Sequence, residues 1–254
     1  MLKTTVNGLE LAYERRGRGT PLVLIHGYPL DHTIWNPVVP LLEADFDLIL
    51  PDLRGFGQSS AVRTRYLLTD MAADIAALLD FLKIKTATIA GHSMGGYVAL
   101  AFARCYPSRV RGLGLVASQA IADPPDRKAV RYQMADRVEA NGVGEVAEFM
   151  PALLTADADL QAALKQLILR QPPEGVAGAL RAMADRPAST DILSTFDFSV
   201  TIIHGLTDKI VPIERARDVR AAVKKGYLVE IEGVGHMPMM EAPQVTAEAL
   251  NTLL

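Results

Sequence analysis

Short apolar runs, separated by longer stretches with helical periodicity, dominate the chain. Six of these runs are nearly continuous and rich in Val, Ile and Leu: PLVLIHG, FDLILPD, TATIAGH, RGLGLVAS, SVTIIHG and YLVEIEG. Such runs are typical of parallel strands that helices cover on both faces. Two earlier runs, LKTTV and LELAYERRG, come close to strict alternation on either side of Asn7-Gly8, which indicates an antiparallel hairpin at a sheet edge. The pattern predicts about eight strands, most of them parallel.

Helical patterns lie between the apolar runs. In LTDMAADIAALLDFL, one stripe contains Met71, Ile75, Leu78, Leu79 and Leu82. Thr69 is a candidate N-cap of this helix. MGGYVALAFARCYP, IERARDVRAAVKKG and APQVTAEALNTLL have similar patterns. Strands that alternate with helices favour an α/β fold with an open, doubly wound sheet.

The alternation is interrupted once, between Ser118 and Phe198, where successive helical patterns follow one another without a strand. Because this segment lies between two core strands, we expect it to leave the sheet at one edge and fold back over it. The sequence therefore predicts a core formed by residues 1–118 and 198–254. A helical cap, residues 119–197, is inserted after the sixth strand.

Composition and charge narrow the class of protein. The 254 residues are 50% hydrophobic and carry a formal net charge of -3, with charges of both signs mixed along the chain. This distribution makes nucleic acid a poor candidate partner. The N-terminal sequence lacks the pattern of a signal peptide, and no uncharged apolar run approaches the about 20 residues that cross a bilayer. We expect a cytoplasmic protein without membrane association; the sequence leaves its oligomeric state open.

The segment AGHSMGGY contains a G-x-S-x-G motif from Gly91 to Gly95, directly after one apolar strand and directly before a helix. A strand that turns into a helix within two residues crowds the backbone, and glycines on both sides of Ser93 relieve that crowding. The turn would raise the Ser93 hydroxyl above the sheet, next to the free amides of the following helix. Ser93 is therefore the candidate nucleophile.

A serine hydroxyl needs a general base and an acid that orients it. Of the five histidines, His236 stands in a glycine-flanked loop between the last strand and the last helix, at the sheet edge where Ser93 is expected. Asp208 follows the preceding strand in TIIHGLTDKIVP, although an aspartate there is also suited to capping a turn. The chain order Ser93, Asp208, His236 favours a catalytic role for all three.

The segment HGYPLDHTIW follows the third strand and provides a candidate oxyanion hole. Gly27 allows a close approach of the chain, and Pro29 has no N–H to donate. We therefore expect the backbone N–H groups of Tyr28 and Met94 to bind the oxyanion together.

The candidate pocket is apolar and rich in methionine. Its predicted lining residues are Trp35, Met134, Phe149, Met150, Leu153 and Met237. Met-rich surfaces adapt to varied shapes, which favours a small, largely uncharged substrate, although ordinary packing between cap and core would use the same residues. No spacing of metal ligands and no phosphate-binding loop is evident, so we expect neither a metal nor another cofactor.

Five segments in this order, HGYP, DLRGFGQS, GHSMGG, GLTDKIVP and GVGHMPMMEAP, resemble the α/β-hydrolase family along essentially the whole chain except the cap. The resemblance implies a triad of Ser93, Asp208 and His236, with Tyr28 and Met94 donating to the oxyanion. Within the family the chain is most similar to small capped carboxylesterases, 3-oxoadipate enol-lactonases and cofactor-free haloperoxidases. Haloalkane dehalogenases and epoxide hydrolases of this shape carry aspartate at the position of Ser93.

The expected activity is hydrolysis of a small carboxylic ester or lactone through an acyl-enzyme on Ser93. Two alternatives stay open on the sequence alone. The same triad could serve a carbon–carbon bond hydrolase or a perhydrolase, and the same pocket could belong to a ligand sensor without catalysis.

Overall fold

The computed structural model describes residues 1–62 and 64–254, and its strands form an eight-stranded sheet in the order β1-β2-β4-β3-β5-β6-β7-β8. The strands are β1 (Leu2–Val6), β2 (Leu9–Arg16), β3 (Thr20–Ile25), β4 (Phe46–Pro51), β5 (Ala87–His92), β6 (Val110–Val116), β7 (Ser199–Gly205) and β8 (Gly226–Ile231). The pairs β1·β2 and β2·β4 are antiparallel, and all other neighbouring pairs are parallel. The predicted mostly parallel sheet with an edge hairpin is confirmed.

Burial follows the position of each strand in the sheet. Every residue of β4 and of β5 is buried, as expected for central strands that are covered on both faces. β8 is apolar in sequence but mostly half-buried or exposed, because it is an edge strand with a neighbour on one side only.

The helices of the described chain lie between these strands or, for the last two, after β8. They are α1 (Val39–Leu42), α2 (Leu68–Phe81), α3 (Met94–Cys105), α4 (Pro125–Asn141), α5 (Gly144–Leu154), α6 (Ala158–Leu169), α7 (Pro173–Asp185), α8 (Thr190–Leu193), α9 (Ile213–Ala222), α10 (Pro238–Glu241) and α11 (Pro243–Asn251). Among the described residues, no helix combines the length and the apolar character that a membrane span requires.

The start of α2 differs from the sequence prediction. Thr69 is not the N-cap, because the helix already begins at Leu68. The Asp70 carboxylate instead accepts a hydrogen bond of 2.7 Å from the Leu67 N–H, so it satisfies a donor that precedes the first turn. Of the predicted stripe, Met71, Ile75, Leu78 and Leu79 are fully buried, whereas Leu82, the C-cap of α2, is only half-buried.

The helices α4 to α8 all lie between β6 and β7 and fold back over the core. Polar contacts attach them to core loops: the Gln171 side chain accepts from the Gly57 N–H at 2.9 Å and donates to Asp31 at 3.2 Å. The Tyr66 hydroxyl donates to the Gly175 carbonyl at 3.1 Å. These contacts fix the helical segment over the carboxyl ends of the central strands.

A buried ion pair ties the loop after β4 to α2. Arg54 donates to both carboxylate oxygens of Asp74 at 2.6 and 2.7 Å, and the exposed fractions of the two side chains are 11% and 1%. Asn7, in the turn between β1 and β2, donates to the same carboxylate at 2.9 Å. Asp74 thus joins three separate segments of the chain.

We predict that Asp74→Ala lowers the free energy of unfolding by about 3–5 kcal/mol, because Arg54 would stay buried without a counter-charge. Urea unfolding measures this change. The matched control is Asp80→Ala on the same helix, which removes a carboxylate that is 67% exposed and paired with Arg109. The control should cost at most about 1 kcal/mol. Equal losses in the two variants would contradict the assigned role of Asp74.

Candidate active site

Ser93 lies at the junction of β5 and α3 in a strained backbone conformation, with φ 51° and ψ −112°. Its N–H donates to the Val116 carbonyl at 2.8 Å, and its own carbonyl accepts from the Ser118 hydroxyl at 2.8 Å. These bonds to the end of β6 and the residues after it hold the turn in place. The Ser93 side chain faces a cavity between the core and the helical segment.

The two motif glycines are needed because neighbouring backbone leaves no room for a side chain. A Cβ atom on Gly91 would lie 2.1 Å from the Gly95 carbonyl oxygen, and one on Gly95 would lie 2.3 Å from the Ile25 oxygen. Both distances are far below a van der Waals contact. The end of β3 can therefore approach the start of α3 closely only with glycine at these positions.

Asp208 and His236 meet near this turn. His236 Nδ1 and Asp208 Oδ2 are 2.7 Å apart, and each side chain is 1% exposed. The other oxygen of Asp208 accepts from the N–H groups of Ile210 and Val211, at 2.8 and 3.0 Å. Nε2 of His236 has no hydrogen-bond partner among the described residues, so it is the ring nitrogen available for proton transfer.

Burial alone would raise the pKa of the Asp208 carboxyl. The neighbouring His236 charge, the hydrogen bond from its ring and the two backbone donors outweigh burial, so the pKa lies below its usual value. Asp208 is consequently ionised at neutral pH and fixes the His236 tautomer that carries its proton on Nδ1.

The histidine beside the serine has a different environment. His92 is fully buried, and its Nε2 lies 2.8 Å from the His236 carbonyl oxygen, to which it donates. The His92 and His236 rings pack edge to face with centroids 4.9 Å apart. Burial, reinforced by repulsion from His236, lowers the pKa of His92 to about 3. His92 therefore stays neutral and supports the loop that carries His236.

The remaining histidines also have local partners. His26 accepts from the Leu53 N–H at 3.0 Å and donates from Nδ1 to the Gly27 carbonyl at 3.0 Å, and burial lowers its pKa. His204 donates to the Val211 carbonyl at 2.8 Å, and burial again lowers its pKa. Both rings are therefore neutral, and their hydrogen bonds stabilise the loops after β3 and β7.

Sequence reasoning missed Glu241, which shapes the His236 loop. Its carboxylate accepts from the Gly235 N–H at 3.1 Å, from the Met237 N–H at 3.0 Å and from the Thr155 hydroxyl at 3.0 Å. These contacts clamp the backbone on both sides of His236 and connect it to the end of α5. An acidic residue five positions after the histidine, just before a new helix, was the available signal.

The two predicted oxyanion donors belong to adjoining segments of the chain. Met94 is the first residue of α3, and Tyr28 follows β3, whose end contacts Gly95. Neither the Tyr28 N–H nor the Met94 N–H donates to a partner within the described chain. Two unpaired amides beside a serine are suited to an anionic oxygen.

A cavity of about 260 Å³ opens beside Ser93. It is lined by Tyr28, Ser93, Tyr97, Arg127, Val130, Arg131, Met134, Phe149, Met150, Leu153, Leu180, Met183 and Ile210. Four of the predicted pocket residues are thus present, namely Met134, Phe149, Met150 and Leu153.

Two predicted pocket residues do not line the cavity. Trp35 and Met237 are both fully buried in the hydrophobic core. Trp35 belongs to a 3₁₀-helix, His32–Trp35, that packs inward, and Met237, the N-cap of α10, packs into the hydrophobic core. The cavity lining is mostly apolar but also includes Arg127 and Arg131, which the sequence interpretation did not select.

Asp31, His32 and Asp52 form a cluster whose potential ligand atoms lie within 4.8 Å of one another, an arrangement that could hold a metal ion. Their oxygens already accept protein hydrogen bonds: Asp52 accepts from His32 Nδ1 at 2.6 Å and from the Gln58 N–H at 2.9 Å. Asp31 accepts from the Thr33 N–H at 3.0 Å. These hydrogen bonds give the cluster a structural role, because they stabilise the loops after β3 and β4.

Comparisons with known proteins agree with this geometry. A family model described as the alpha/beta hydrolase fold matches residues 20–243. A pimeloyl-[acyl-carrier protein] methyl ester esterase from Edwardsiella ictaluri is 33% identical over 241 residues, covering 90% of this chain and 91% of that protein. Together with the solved esterase described next, it supports hydrolase activity.

Two solved structures are similar over nearly the whole chain. A thermophilic esterase from Thermogutta terrifontis, determined with malate bound, is 38% identical with a TM-score of 0.94, covering 98% of this chain and 95% of that one. The enol-lactonase from Burkholderia xenovorans LB400 is 23% identical with a TM-score of 0.91 and 99% coverage of both chains, a likeness of fold alone.

We predict that His92 makes the protein less stable as the pH falls. Its folded pKa of about 3 lies below the ordinary value of 6.5, so between these values only the unfolded chain takes up the proton. Relative to His92→Asn, the wild type should lose about 2–3 kcal/mol of unfolding free energy between about pH 7 and pH 4.5.

Urea unfolding at several pH values checks this prediction. His32→Asn provides a control of opposite sign. Although burial lowers the pKa of His32, its hydrogen bond and charge interaction with Asp52 outweigh burial and raise that pKa. The stability that His32 contributes is present at low pH and is lost as the pH rises through its folded pKa. Parallel pH curves for wild type and His92→Asn would refute the assignment.

Proposed function

Because the chain belongs to the α/β-hydrolase family, we propose that it is a serine hydrolase that cleaves small carboxylic esters or lactones through an acyl-enzyme on Ser93. One observation carries the proposal: a buried Asp208–His236 pair at 2.7 Å lies beside a strained serine turn. The His236 ring is 4.9 Å from that of His92, the residue directly before Ser93. Residues 119–197 serve as the cap that closes the cavity over Ser93.

In the first half of the reaction, His236 Nε2 takes the proton of the Ser93 hydroxyl while Oγ attacks the substrate carbonyl carbon. The carbonyl oxygen becomes an oxyanion, which the Tyr28 and Met94 N–H groups stabilise. Asp208 stabilises the imidazolium that forms and keeps its orientation. The protonated Nε2 then donates to the departing alcohol oxygen, and an acyl-enzyme remains.

In the second half, His236 takes a proton from water, whose oxygen attacks the acyl carbon. The same amides hold the second oxyanion, and Nε2 returns the proton to Ser93 Oγ as the carboxylic acid leaves. Every proton transfer in the cycle uses the one ring nitrogen that Asp208 does not occupy.

A fluorophosphonate probe should label Ser93 and stop ester hydrolysis, because the probe reacts with an activated serine. Ser93→Ala should lose the label and lower kcat/KM by about 10⁵-fold. Peptide mapping by mass spectrometry and assays on p-nitrophenyl esters measure both outcomes. Ser194→Ala, at the exposed end of α8, should keep the label at Ser93. Active protein without label at Ser93 would reject the serine mechanism, and ligand binding without turnover would favour a sensor.

Asp208→Asn should lower kcat by about 10³- to 10⁴-fold, because an amide no longer fixes the productive His236 tautomer. The matched control is Asp218→Asn on α9, where the carboxylate is 61% exposed and pairs with Arg215. Steady-state rates, together with thermal unfolding of both variants, separate catalysis from folding. Rates that fall equally in both variants would argue against Asp208 as the orienting acid.

A further inference from the structure

The cavity beside Ser93 contains two positively charged side chains and no carboxylate among its described lining residues. Arg127 and Arg131 are one turn apart on α4, so both project from the same face of that helix. Apart from them, the cavity wall is mostly aliphatic, aromatic or methionine. An unbalanced charge in an apolar cavity is costly unless a ligand of opposite charge compensates it.

The nearest carboxylate does not neutralise these arginines. Asp123 is 1% exposed and contacts three guanidinium groups: Arg131 at 2.5 Å, Arg186 at 2.8 Å and Arg127 at 3.7 Å. Burial alone would raise the pKa of Asp123, but the hydrogen bonds and charges of Arg186 and Arg131 outweigh it, and the pKa lies below its usual value. One ionised carboxylate among three arginines leaves two positive charges in excess.

The three arginines differ in how many of their N–H groups already have protein partners. Arg186 has a structural role, whereas Arg131 and Arg127 keep N–H groups that can bind a ligand. Arg186 donates to the Met183 and Ile121 carbonyls and to Asp123, and it lies 4.0 Å over the Tyr97 ring. Arg131 donates to Asp123 through Nε, while its Nη2 has no partner in the described chain. Arg127 makes no hydrogen bond there, only the 3.7 Å ion pair.

Building on the proposed function, we infer that the preferred substrate carries a carboxylate, which Arg131 and Arg127 bind on the α4 side of the cavity while Ser93 attacks the ester carbonyl. A guanidinium matches a carboxylate in shape and charge, and the surrounding apolar wall strengthens the attraction. The volume of about 260 Å³ restricts the substrate to a small molecule. Half-esters of dicarboxylic acids, or lactones with a free carboxylate, fit these requirements.

The test compares kcat/KM for two matched substrate pairs. Monomethyl adipate against methyl hexanoate places the carboxylate on the acyl side, and 3-butanoyloxypropanoate against propyl butanoate places it on the alcohol side. Within each pair, only the carboxylate replaces a methyl group. We expect the wild type to prefer the anionic member of one pair by at least about tenfold, the typical value of a charge-assisted hydrogen bond.

Three variants and one control locate this preference. Arg131→Gln should reduce the anionic-to-neutral ratio by about tenfold, Arg127→Gln by several-fold, and Arg131→Lys should give an intermediate ratio, because charge without the planar fork is retained. Arg137→Gln, on the same helix but 46% exposed and paired with Glu145, should keep the wild-type ratio. Arg127→Gln preserves the test if the Arg131 variants do not fold, since Arg127 is 37% exposed.

A binding measurement is independent of turnover. In the Ser93→Ala background, calorimetric titration with adipate should give a Kd that increases about tenfold when Arg131→Gln is added. Raising the salt concentration from about 0.05 M to about 0.5 M should weaken adipate binding, because ions screen the attraction.

The outcomes separate this inference from the proposed function. If a fluorophosphonate fails to label Ser93 in active protein, the serine mechanism itself is wrong. If Ser93 is labelled and neutral esters are cleaved, but neither pair shows a preference for the anionic member, only the carboxylate subsite is overturned. A preference that persists unchanged in both Arg131→Gln and Arg127→Gln overturns it as well.

Discussion

The close approach of β3 to the start of α3 is the constraint on which the candidate site depends. Gly95 has no room for a Cβ atom, because the Ile25 carbonyl oxygen would lie 2.3 Å from it. The same approach brings Tyr28, three residues after Ile25, towards the free N–H of Met94. This geometry requires a positive φ at Ser93, which is a strained conformation. Hydrogen bonds from Ser93 to Val116 and from Ser118 to Ser93 stabilise that conformation. The proposed nucleophile and the proposed oxyanion donors therefore depend on one packing arrangement.

Proton positions at the site follow from unequal environments of similar side chains. His92 is fully buried, with its ring donating to the His236 carbonyl, and burial lowers its pKa to about 3, so the ring stays neutral. His236 shares its Nδ1 proton with an ionised Asp208, which two backbone amides also stabilise. Glu241 holds the backbone on both sides of His236. The hydrogen-bond partners of each histidine, which the sequence alone does not reveal, therefore decide which one can act as the base.

Much of the fold and the members of the candidate triad could be read from the sequence, because apolar runs and chain order reflect the sheet directly. Parallel strands bring their carboxyl ends to one edge, and Ser93, Asp208 and His236 each follow such a strand end, namely β5, β7 and β8. The sequence predicts the residues that line the cavity less accurately. Trp35 and Met237 are apolar and near the site in sequence, yet only the packing of each loop decides which face is buried. Local geometry also decides the start of α2, where the Asp70 side chain, and not that of Thr69, accepts the Leu67 N–H.

The arginines of α4 extend this argument, because their position depends on how the cap packs against the core. A helix with mixed charges usually presents them to water, and nothing in its sequence identifies Arg131 as a cavity residue. Burying Asp123 among three guanidinium groups costs desolvation free energy. The packing of α4 to α8 against the core offsets this cost when the protein folds. Arg131 is then held before any ligand arrives, at 2.5 Å from Asp123, so little side-chain freedom remains to be lost on binding. A structural ion cluster can in this way orient a recognition group towards the same cavity that Ser93 lines.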